Sequence, residues 1–386
     1  MKTIVQLFFS NFPISIEGGR EKVFVELSNL AIEKNCKVIN ICNSSDQNEK
    51  PFFLLNKEVE FYNLGLGKIK APFYKKIIRE IARIFHLDIE NYVDSHKTKI
   101  LAERVNNILK DRDIYAVICY EFNSIMVANY LNLKMPKIAT MHSAIEIELG
   151  SKTKKQIMQI NKIDAYQVLI PSAVDKVKKY INTKVVCIPN MVSQINANKA
   201  TKSNKNKKII LNIGRIDRNK RQHILIKAFA KIPDKDKWEV HIYGYEQDKQ
   251  YKKEMEYFIK RNGLSNKIFF KGVTNEPLKC MQNADIFAFP SAYETFSLAL
   301  AEAMSTGLPA IGFKETTAVN EWIINNETGF LCENSSEFME KLEILMKDDK
   351  LRKQMGRNSS MRIDGYSPDK VWLKWEKLFN EIYVIV

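Results

Sequence analysis

Short apolar runs rich in β-branched residues alternate along the chain with longer stretches of amphipathic, helical spacing. In the first half this pattern predicts strands at TIVQLFF, KVINICN, VEFYNL, YAVICYE, KIATMHS, AYQVLI and VVCIP. In the second half it predicts strands at IILNIG, EVHIYG, KIFFKG, DIFAFPS, PAIGF and GFLC. Strands that alternate with helices are typical of parallel, doubly wound sheets. The sequence therefore predicts an α/β fold.

A polar stretch rich in Asn, Lys and Ser, NMVSQINANKATKSNKNKK, divides the chain. It has little to bury, so it predicts a linker at 191–207 between Rossmann-like domains at 1–190 and 208–366. A length of 386 residues suits two domains of ordinary size. We expect these domains to face one another across a central cleft, with ligands at the carboxyl ends of the strands.

The last segment, SPDKVWLKWEKLFNEIY, predicts an amphipathic helix within 367–386. Ser367 is suited to the N-cap and Pro368 to the first helical position. The predicted apolar face consists of Val371, Trp372, Trp375, Leu378, Phe379 and Ile382.

The composition is that of a globular protein, with 45% hydrophobic and 27% charged residues. No apolar run reaches the ~18 residues of a membrane-spanning helix. The start, MKTIVQLFFSNFPISIEGG, superficially resembles a signal peptide but lacks a small-residue cleavage site, so we interpret it as a buried strand and expect a cytoplasmic protein. The 6 cysteines form no Cys-x-x-Cys pair, which indicates neither a disulfide framework nor a zinc site.

The chain carries 60 Lys and Arg against 45 Asp and Glu, a net charge of +15. Such an excess suits nucleic acid, an anionic membrane surface or an anionic substrate. No nucleic-acid-binding pattern occurs in the sequence, so nucleic acid is the weakest of the three. Residues 68–87 have the spacing of a basic amphipathic helix. Binding of that helix to anionic lipid and packing against the core are both open.

The segment YETFSLALAEAMSTGLP carries the strongest chemical signal. It places Glu294 just after the strand ADIFAFPS and Glu302 about two turns into the helix that follows. Thr295 to Leu298 are predicted to begin that helix with unpaired backbone N–H groups, and Thr295 could cap it. A helix start between two carboxylates suits a ligand with phosphate in its middle and hydroxyls at both ends, such as a nucleotide-sugar.

In this segment the chain resembles the family-4 retaining glycosyltransferases of the GT-B fold, whose signature is a glutamate, seven residues and a second glutamate. The resemblance extends over nearly the whole chain. It implies that Glu302 accepts hydrogen bonds from the donor's ribose hydroxyls and that Glu294 binds the donor sugar. The implied donor-binding residues between them are Thr295, Phe296, Ser297 and Leu298. The family commonly has glycine where this chain has Thr295 and Ser297, which indicates a changed pocket shape.

A second motif lies in IILNIGRIDRNKRQHILIKAF, where Gly214, Arg215 and Lys220 match the family pattern Gly-Arg-x4-Lys. Two cations at a strand end can neutralise a diphosphate leaving group, so the resemblance assigns Arg215 and Lys220 to catalysis. The family usually has glycine after the lysine, where this chain has Arg221. Whether Arg218 or Arg221 also reaches phosphate stays open.

In the first domain, Gly18, Gly19 and Glu21 match the family pattern Gly-Gly-x-Glu at the start of an amphipathic helix. Paired glycines there allow the backbone to approach phosphate or sugar closely. His142, at the end of KIATMHS, falls where the family places a histidine that faces the donor sugar, so it joins the implied catalytic residues. The implied donor site includes Gly18, Gly19, Gly214 and Gly244. In GT-B proteins the closing helix crosses back to the first domain, and the helix at 367–386 is expected to do the same.

The resemblance implies a retaining, metal-independent hexosyltransferase without cofactors, in which 1–190 binds the acceptor and 208–366 the nucleotide-sugar. UDP is the favoured carrier because uridine is the commonest base in the family. The basic charge and the candidate helix favour a lipid-linked glycan of bacterial surface polysaccharide biosynthesis as acceptor, with the enzyme peripheral on the inner face of the cytoplasmic membrane. A protein or small-molecule acceptor stays open. Asp111-Arg112-Asp113 spells Asp-x-Asp, but it lies in a predicted helix-to-strand turn, so no metal site is predicted.

Two other functions stay open. A UDP-sugar epimerase of the same fold would share the donor pocket but need no acceptor. A non-catalytic nucleotide-sugar-binding protein would share the fold alone, although it would not need the full set of two glutamates and two cations.

Overall fold

The computed structural model describes residues 2–10, 13–15, 18–70, 72–85, 92–193 and 207–383. The chain divides into two compact units. The first contains Met1–Pro189 and Trp372–Val386, and the second contains Asn190–Val371. Most of the predicted linker, residues 194–206, lies outside the described residues.

The first unit is built on seven strands: β1 (Thr3–Phe8), β2 (Lys37–Cys42), β3 (Glu60–Asn63), β4 (Ala116–Cys119), β5 (Lys137–Thr140), β6 (Ala165–Val168) and β7 (Lys184–Cys187). They form one parallel sheet in the order β3-β2-β1-β4-β5-β6-β7. The helices between them are α1 (Gly19–Glu33), α2 (Phe73–Ile84), α3 (Tyr92–Leu109), α4 (Phe122–Asn129), α5 (Lys154–Ile160) and α6 (Pro171–Val177), with a π-helix at Glu146–Gly150.

The second unit is built on six strands: β8 (Lys208–Ile213), β9 (Trp238–Tyr243), β10 (Ile268–Gly272), β11 (Ile286–Phe289), β12 (Ala310–Phe313) and β13 (Gly329–Cys332). They form a second parallel sheet in the order β10-β9-β8-β11-β12-β13. The accompanying helices are α7 (Gln222–Lys231), α8 (Lys249–Arg261), α9 (Pro277–Gln282), α10 (Leu298–Ser305), α11 (Val319–Trp322), α12 (Ser335–Lys347) and α13 (Asp349–Ile363).

The central strands are apolar on both faces, as parallel strands covered by helices require. β4 and β11, for example, are buried at every position. All the predicted strands are present, which confirms the α/β class and the two doubly wound sheets. The strand order brings the carboxyl ends of β1, β4 and β5 side by side in the first unit, and those of β8, β9 and β11 in the second. The predicted site residues follow these strand ends.

The last helix, α14 (Pro368–Tyr383), begins at Pro368 as predicted. All the residues of its predicted apolar face are buried. From Trp372 onward it belongs to the first unit, where the rings of Phe379 and Tyr383 lie 5.9 and 4.8 Å from the ring of Tyr115. Aromatic contacts therefore attach the end of the chain to the turn before β4.

The basic helix α2 directs its apolar side chains to solvent rather than into the core. Phe73 is 77% exposed, Ile77 is 42% exposed and Ile81 is 45% exposed. The core-packed alternative is therefore wrong for this helix. Residues 86–91 and the side chains of Arg79 and Arg83 lie outside the described part of the chain. None of the described helices combines the length and the apolar character that crossing a membrane requires.

Candidate functional site

The two motif glutamates lie where β11 gives way to α10. The helix begins at Leu298, so Glu302 lies little more than one turn into it rather than two. The prediction that Thr295 begins or caps the helix is wrong, because Ser297 occupies the N-cap position and no side chain caps it. Ser297 has a left-handed backbone, φ 63° and ψ 53°, which separates the preceding loop from the helix.

Ser297 combines two unfavourable features at this helix start. An L-residue in the left-handed region costs ~1–2 kcal/mol relative to the right-handed one. Ser297 is also only 5% exposed, and its hydroxyl has no hydrogen-bond partner among the described residues. The first backbone N–H groups of any helix lack partners within the helix. Strain and unpaired donors at one place are typical of ligand sites.

Lys220 and Glu294 form an ion pair, with Nζ 2.5 Å from Oε1. The two side chains are only 15% and 10% exposed. The ammonium also lies 5.4 Å from the centroid of the Phe289 ring, a favourable cation–π position. The pair joins the loop after β8 to the loop after β11. It thus brings together the lysine and the first glutamate, which are far apart in the sequence.

Further hydrogen bonds connect these two loops. Asn219 donates from Nδ2 to the backbone carbonyl of Tyr293 at 3.0 Å. The backbone carbonyl of Asn219 accepts from the Ala292 N–H at 2.7 Å. The Asp217 carboxylate accepts from the Lys220 N–H at 3.0 Å. These bonds fix the backbone on both sides of the ion pair.

Arg221 occupies the position where the family usually has glycine, and its backbone is left-handed, with φ 47° and ψ 37°. Its guanidinium donates to the carbonyls of Pro290 at 2.9 Å and Ser291 at 2.8 Å. It also pairs with Glu315 at 3.1 Å. The glycine-like turn is therefore kept, and the arginine side chain fastens the loop after β11.

Arg218, the other cation left open by the sequence, is paired on the surface. Its guanidinium lies 2.8 Å from Glu254 and 3.5 Å from Asp248. By contrast, the Arg215 side chain is 56% exposed, and its one ion pair with the described residues is a long contact of 3.6 Å with Asp217. Of these arginines, Arg215 has the guanidinium least committed to protein partners.

Gly244 sets the backbone from which Arg215 leaves the sheet. It has φ 147°, and a Cβ added to it would lie 2.0 Å from the Gly214 carbonyl oxygen. Only glycine allows the ends of β8 and β9 to approach so closely.

Glu302 lies in α10 and is 4% exposed, so its carboxylate is in the protein interior.

In the first unit, Gly18 and Gly19 differ in their surroundings. A Cβ on Gly18 would lie 2.0 Å from a carboxylate oxygen of Glu21, whereas Gly19 has open space around it. Gly18 therefore makes room for the chain's own carboxylate, and Gly19 leaves the backbone accessible. Arg20 pairs with Glu21 at 2.8 Å and with Glu121, the residue that precedes α4.

His142 lies just beyond the end of β5, and its ring is held on two sides. It stacks on the Tyr120 ring, with centroids 5.2 Å apart and planes at 6°. Its Nε2 lies 2.9 Å from the Thr140 hydroxyl. The ring keeps some exposed surface, but the surrounding protein, with Arg20 in addition, lowers the pKa of His142 to about 3. His142 is therefore neutral at physiological pH.

The Asp-x-Asp segment lies in the turn between α3 and β4. Asp111 has a left-handed backbone with φ 61°, and Arg112 pairs with Glu60 at 2.7 Å. Among the described residues, no group of three or more His, Cys, Asp or Glu could hold a metal ion.

Several residues that shape these strand ends were not predicted from the sequence: Arg20, Glu121, Glu148, Asp217 and Asn219. Two of them had a local signal. Arg20 is a charged residue directly after the paired glycines, and Glu121 is a carboxylate directly after the apolar run YAVICY. The others depend on contacts between loops and have no local signature.

The region that contains this site is similar to known proteins. Residues 193–362 match the sequence model of the family described as "Glycosyl transferases group 1". The match supports a glycosyltransferase family. The matched region lies in the second unit and includes both glutamates and both cations.

Other proteins are similar to this chain over nearly its whole length. An "uncharacterized glycosyltransferase" of Haemophilus influenzae is 23% identical over 373 residues, which cover 94% of this chain and 96% of the relative. The Campylobacter jejuni GalNAc-α-(1→4)-GalNAc-α-(1→3)-diNAcBac-PP-undecaprenol α-1,4-N-acetyl-D-galactosaminyltransferase is 24% identical over 371 residues, covering 95% and 96%. A mutant of Staphylococcus aureus TarM in complex with fondaparinux, α-GlcNAc-glycerol and UDP superposes with a TM-score of 0.74 at 17% identity, covering 98% and 100%. The fold of this chain is GT-B.

The Lys220–Glu294 pair predicts a coupled effect on stability. Removing one partner, as in Lys220→Met or Glu294→Gln, leaves the other without its counterpart in a mostly buried place and should cost about 3 kcal/mol. The double variant should lose clearly less than the sum of the two, as measured by urea unfolding. Lys314→Met, in a pair whose side chains are 64% and 62% exposed, is the control and should change the free energy of unfolding far less. Strict additivity of the two single effects would contradict the prediction.

The left-handed backbone of Ser297 predicts an unusual gain from substitution. Ser297→Gly should raise the free energy of unfolding by about 1 kcal/mol, because glycine adopts this conformation without a steric penalty. Ser297→Ala also lacks the hydroxyl but keeps a Cβ, so it should remain less stable than Ser297→Gly by about the cost of the left-handed backbone. Equal stabilities of the two variants in urea unfolding would show that the backbone is not strained there.

Proposed function

We propose that this protein is a retaining glycosyltransferase that moves a hexose-type sugar from a UDP-sugar to a hydroxyl of a lipid-linked glycan. The observation that carries the proposal is the Lys220–Glu294 ion pair beside the strained start of α10. The family match over residues 193–362 and the GT-B fold support the same class of reaction.

The second unit would bind the donor's diphosphate through fixed positive charge. Lys220 and the accessible Arg215 would face the phosphates, and the N–H groups at the start of α10 would donate to their oxygens. A phosphate oxygen would also give the buried Ser297 hydroxyl a partner. Because charge grows on the diphosphate as the sugar leaves, groups already in place there lower the barrier without rearranging.

The two glutamates would bind the ends of the donor. Glu302 offers two acceptor oxygens to the vicinal ribose hydroxyls. A diphosphate beside Lys220 would replace Glu294 as its counter-ion, which would leave the Glu294 carboxylate to accept hydrogen bonds from the sugar. The same ion pair would thus prepare both groups for the donor.

In the reaction, the bond between the sugar's anomeric carbon and the diphosphate oxygen breaks, and the acceptor oxygen bonds to that carbon on the same face. The departing phosphate oxygen takes the acceptor's proton. No carboxylate is assigned as a covalent nucleophile, although retention often uses one. His142, neutral and fixed by Tyr120 and Thr140, would offer a hydrogen bond to the sugar rather than a positive charge.

Lys220→Ala should lower turnover of the UDP-sugar by at least a hundredfold, about 3 kcal/mol of barrier, because the leaving diphosphate loses a positive charge. Arg218→Ala is the matched control, since that guanidinium is paired on the surface with Glu254 and should leave turnover unchanged. The measurement is release of UDP from a panel of UDP- and GDP-sugars, preceded by ligand-observed NMR to find the bound donor. Near-normal rates in folded Lys220→Ala would refute the role of Lys220.

Conversion of UDP-N-acetylglucosamine to an epimer in the absence of an acceptor would replace the transferase proposal with an epimerase.

The exposed face of α2 supports a membrane surface as the place of action. Phe73, Ile77 and Ile81 recur at intervals of four residues, so they lie on one side of the helix. Lys75 and Lys76 are described in the same helix, and Lys68 and Lys70 precede it. Exposed apolar side chains flanked by lysines suit the headgroup region of an anionic bilayer on the inner face of the cytoplasmic membrane. A lipid-linked acceptor would be reached from that position.

Binding to vesicles tests this surface. Wild-type protein should co-sediment with phosphatidylglycerol-containing vesicles at low salt and less at high salt. Ile77→Ser together with Ile81→Ser should reduce binding severalfold, because both side chains would otherwise enter the interface. Leu54→Ser is the matched control, since Leu54 is 90% exposed but lies outside α2 and should not affect binding. Sedimentation that ignores lipid charge, salt and the α2 substitutions would exclude the membrane surface.

A further inference from the structure

Glu148 forms the centre of a hydrogen-bonded group behind His142. Its Oε1 accepts from the backbone N–H groups of His142 at 2.8 Å and Ser143 at 2.5 Å. Its Oε2 accepts from the Tyr166 hydroxyl at 3.0 Å. One carboxyl group therefore connects the segment after β5 to a side chain of β6, the next strand in the sheet.

An irregular backbone brings Glu148 to this position. Residues Glu146–Gly150 form a π-helix, a rare geometry that is found often at functional sites. It turns the chain back just after His142, so a side chain six residues later reaches the His142 amide. The flanking Glu146 and Ile147 are exposed, whereas Glu148 is partly buried.

The contacts of Glu148 differ from those expected of a catalytic carboxylate. Both of its oxygens accept hydrogen bonds from the protein itself, so neither is directed at a reacting group. Glu148 keeps some exposed surface, but the protein packed around it raises its pKa to about 7. The hydrogen bond from the His142 N–H is the largest of the effects that oppose this rise in pKa. Charged or protonated, the group keeps an acceptor oxygen for the two amides.

Loss of this acceptor would act on His142 first. Two neighbouring backbone N–H groups in a half-buried segment would lose their acceptor, which is unfavourable unless the chain moves. Movement of the segment would carry the imidazole away from the Tyr120 ring and the Thr140 hydroxyl. The orientation of the ring therefore depends on a residue that does not touch it.

We propose that Glu148 is a positioning residue that holds the His142 imidazole for the reaction. This inference rests on the proposed function, in which His142 faces the donor sugar. Glu148 itself would touch neither donor nor acceptor.

The first test observes the ring directly and needs no substrate. Long-range 15N NMR of the 5 histidines, with the His142 signals assigned through His142→Gln, reports ring environment and tautomer. Glu148→Ala should shift or broaden the His142 signals. Glu148→Gln should leave them close to wild type, because its amide oxygen can accept from both backbone N–H groups while its NH2 faces Tyr166. Unchanged His142 signals in Glu148→Ala would overturn the proposal.

The second test asks whether the positioning matters for chemistry. In UDP release from the donor found in the panel, Glu148→Ala and His142→Ala should each lower kcat about tenfold or more, and the double variant should fall no further. The affinity for UDP alone should stay within about twofold, since the implied nucleotide contacts belong to the second unit. Additive losses in kcat, or loss of UDP binding, would indicate general damage instead of positioning.

Two further variants keep the tests decisive. If Glu148→Ala does not fold, Glu148→Asp takes its place, because its carboxylate is one methylene too short to reach the amides. Tyr166→Phe removes only the bond to Oε2 and should affect the His142 signals less than Glu148→Asp. A wild-type protein that neither binds UDP nor cleaves UDP-sugars would refute the proposed function, whereas the NMR result would still decide whether Glu148 holds the ring.

Discussion

The ion pair between Lys220 and Glu294 determines how the loops after β8 and β11 lie against one another. Both side chains are mostly removed from solvent, so each needs the other's charge where it lies. Asn219 and Arg221 add hydrogen bonds between the same two loops. A network of this kind fixes positive and negative groups before a ligand arrives. Fixed charge is what electrostatic catalysis requires, since little energy is then lost in reorganisation.

Two left-handed residues show how this chain departs from the glycines common in the family while keeping the backbone. Arg221 and Ser297 have φ of 47° and 63°, values that favour glycine. Arg221 is compensated by three bonds from its guanidinium to Pro290, Ser291 and Glu315. Ser297 has no such compensation, and among the described residues its buried hydroxyl has no hydrogen-bond partner. The same backbone conformation is thus offset by protein contacts at Arg221 but not at Ser297.

Much of this architecture was predictable because its causes are local. Apolar runs of strand length gave all the strands, and their alternation with helices gave the parallel sheets. The start of α10 was not predictable, since TFS has no strong helix-breaking signal and the interruption arises from the backbone of Ser297. The partners of Arg218 and Arg221 were also hidden, because they lie on loops and helices far away in sequence. Contacts between loops depend on the packed sheet, which residue spacing alone does not specify.

The two units use their carboxylates in different ways. In the second unit, Glu294 neutralises Lys220, a cation that a phosphate would take over in the proposed reaction. In the first unit, Glu148 accepts hydrogen bonds from two backbone amides and a tyrosine hydroxyl, which carry no charge that a ligand could replace. In the proposed reaction Glu148 would therefore fix geometry, whereas Glu294 would change partners.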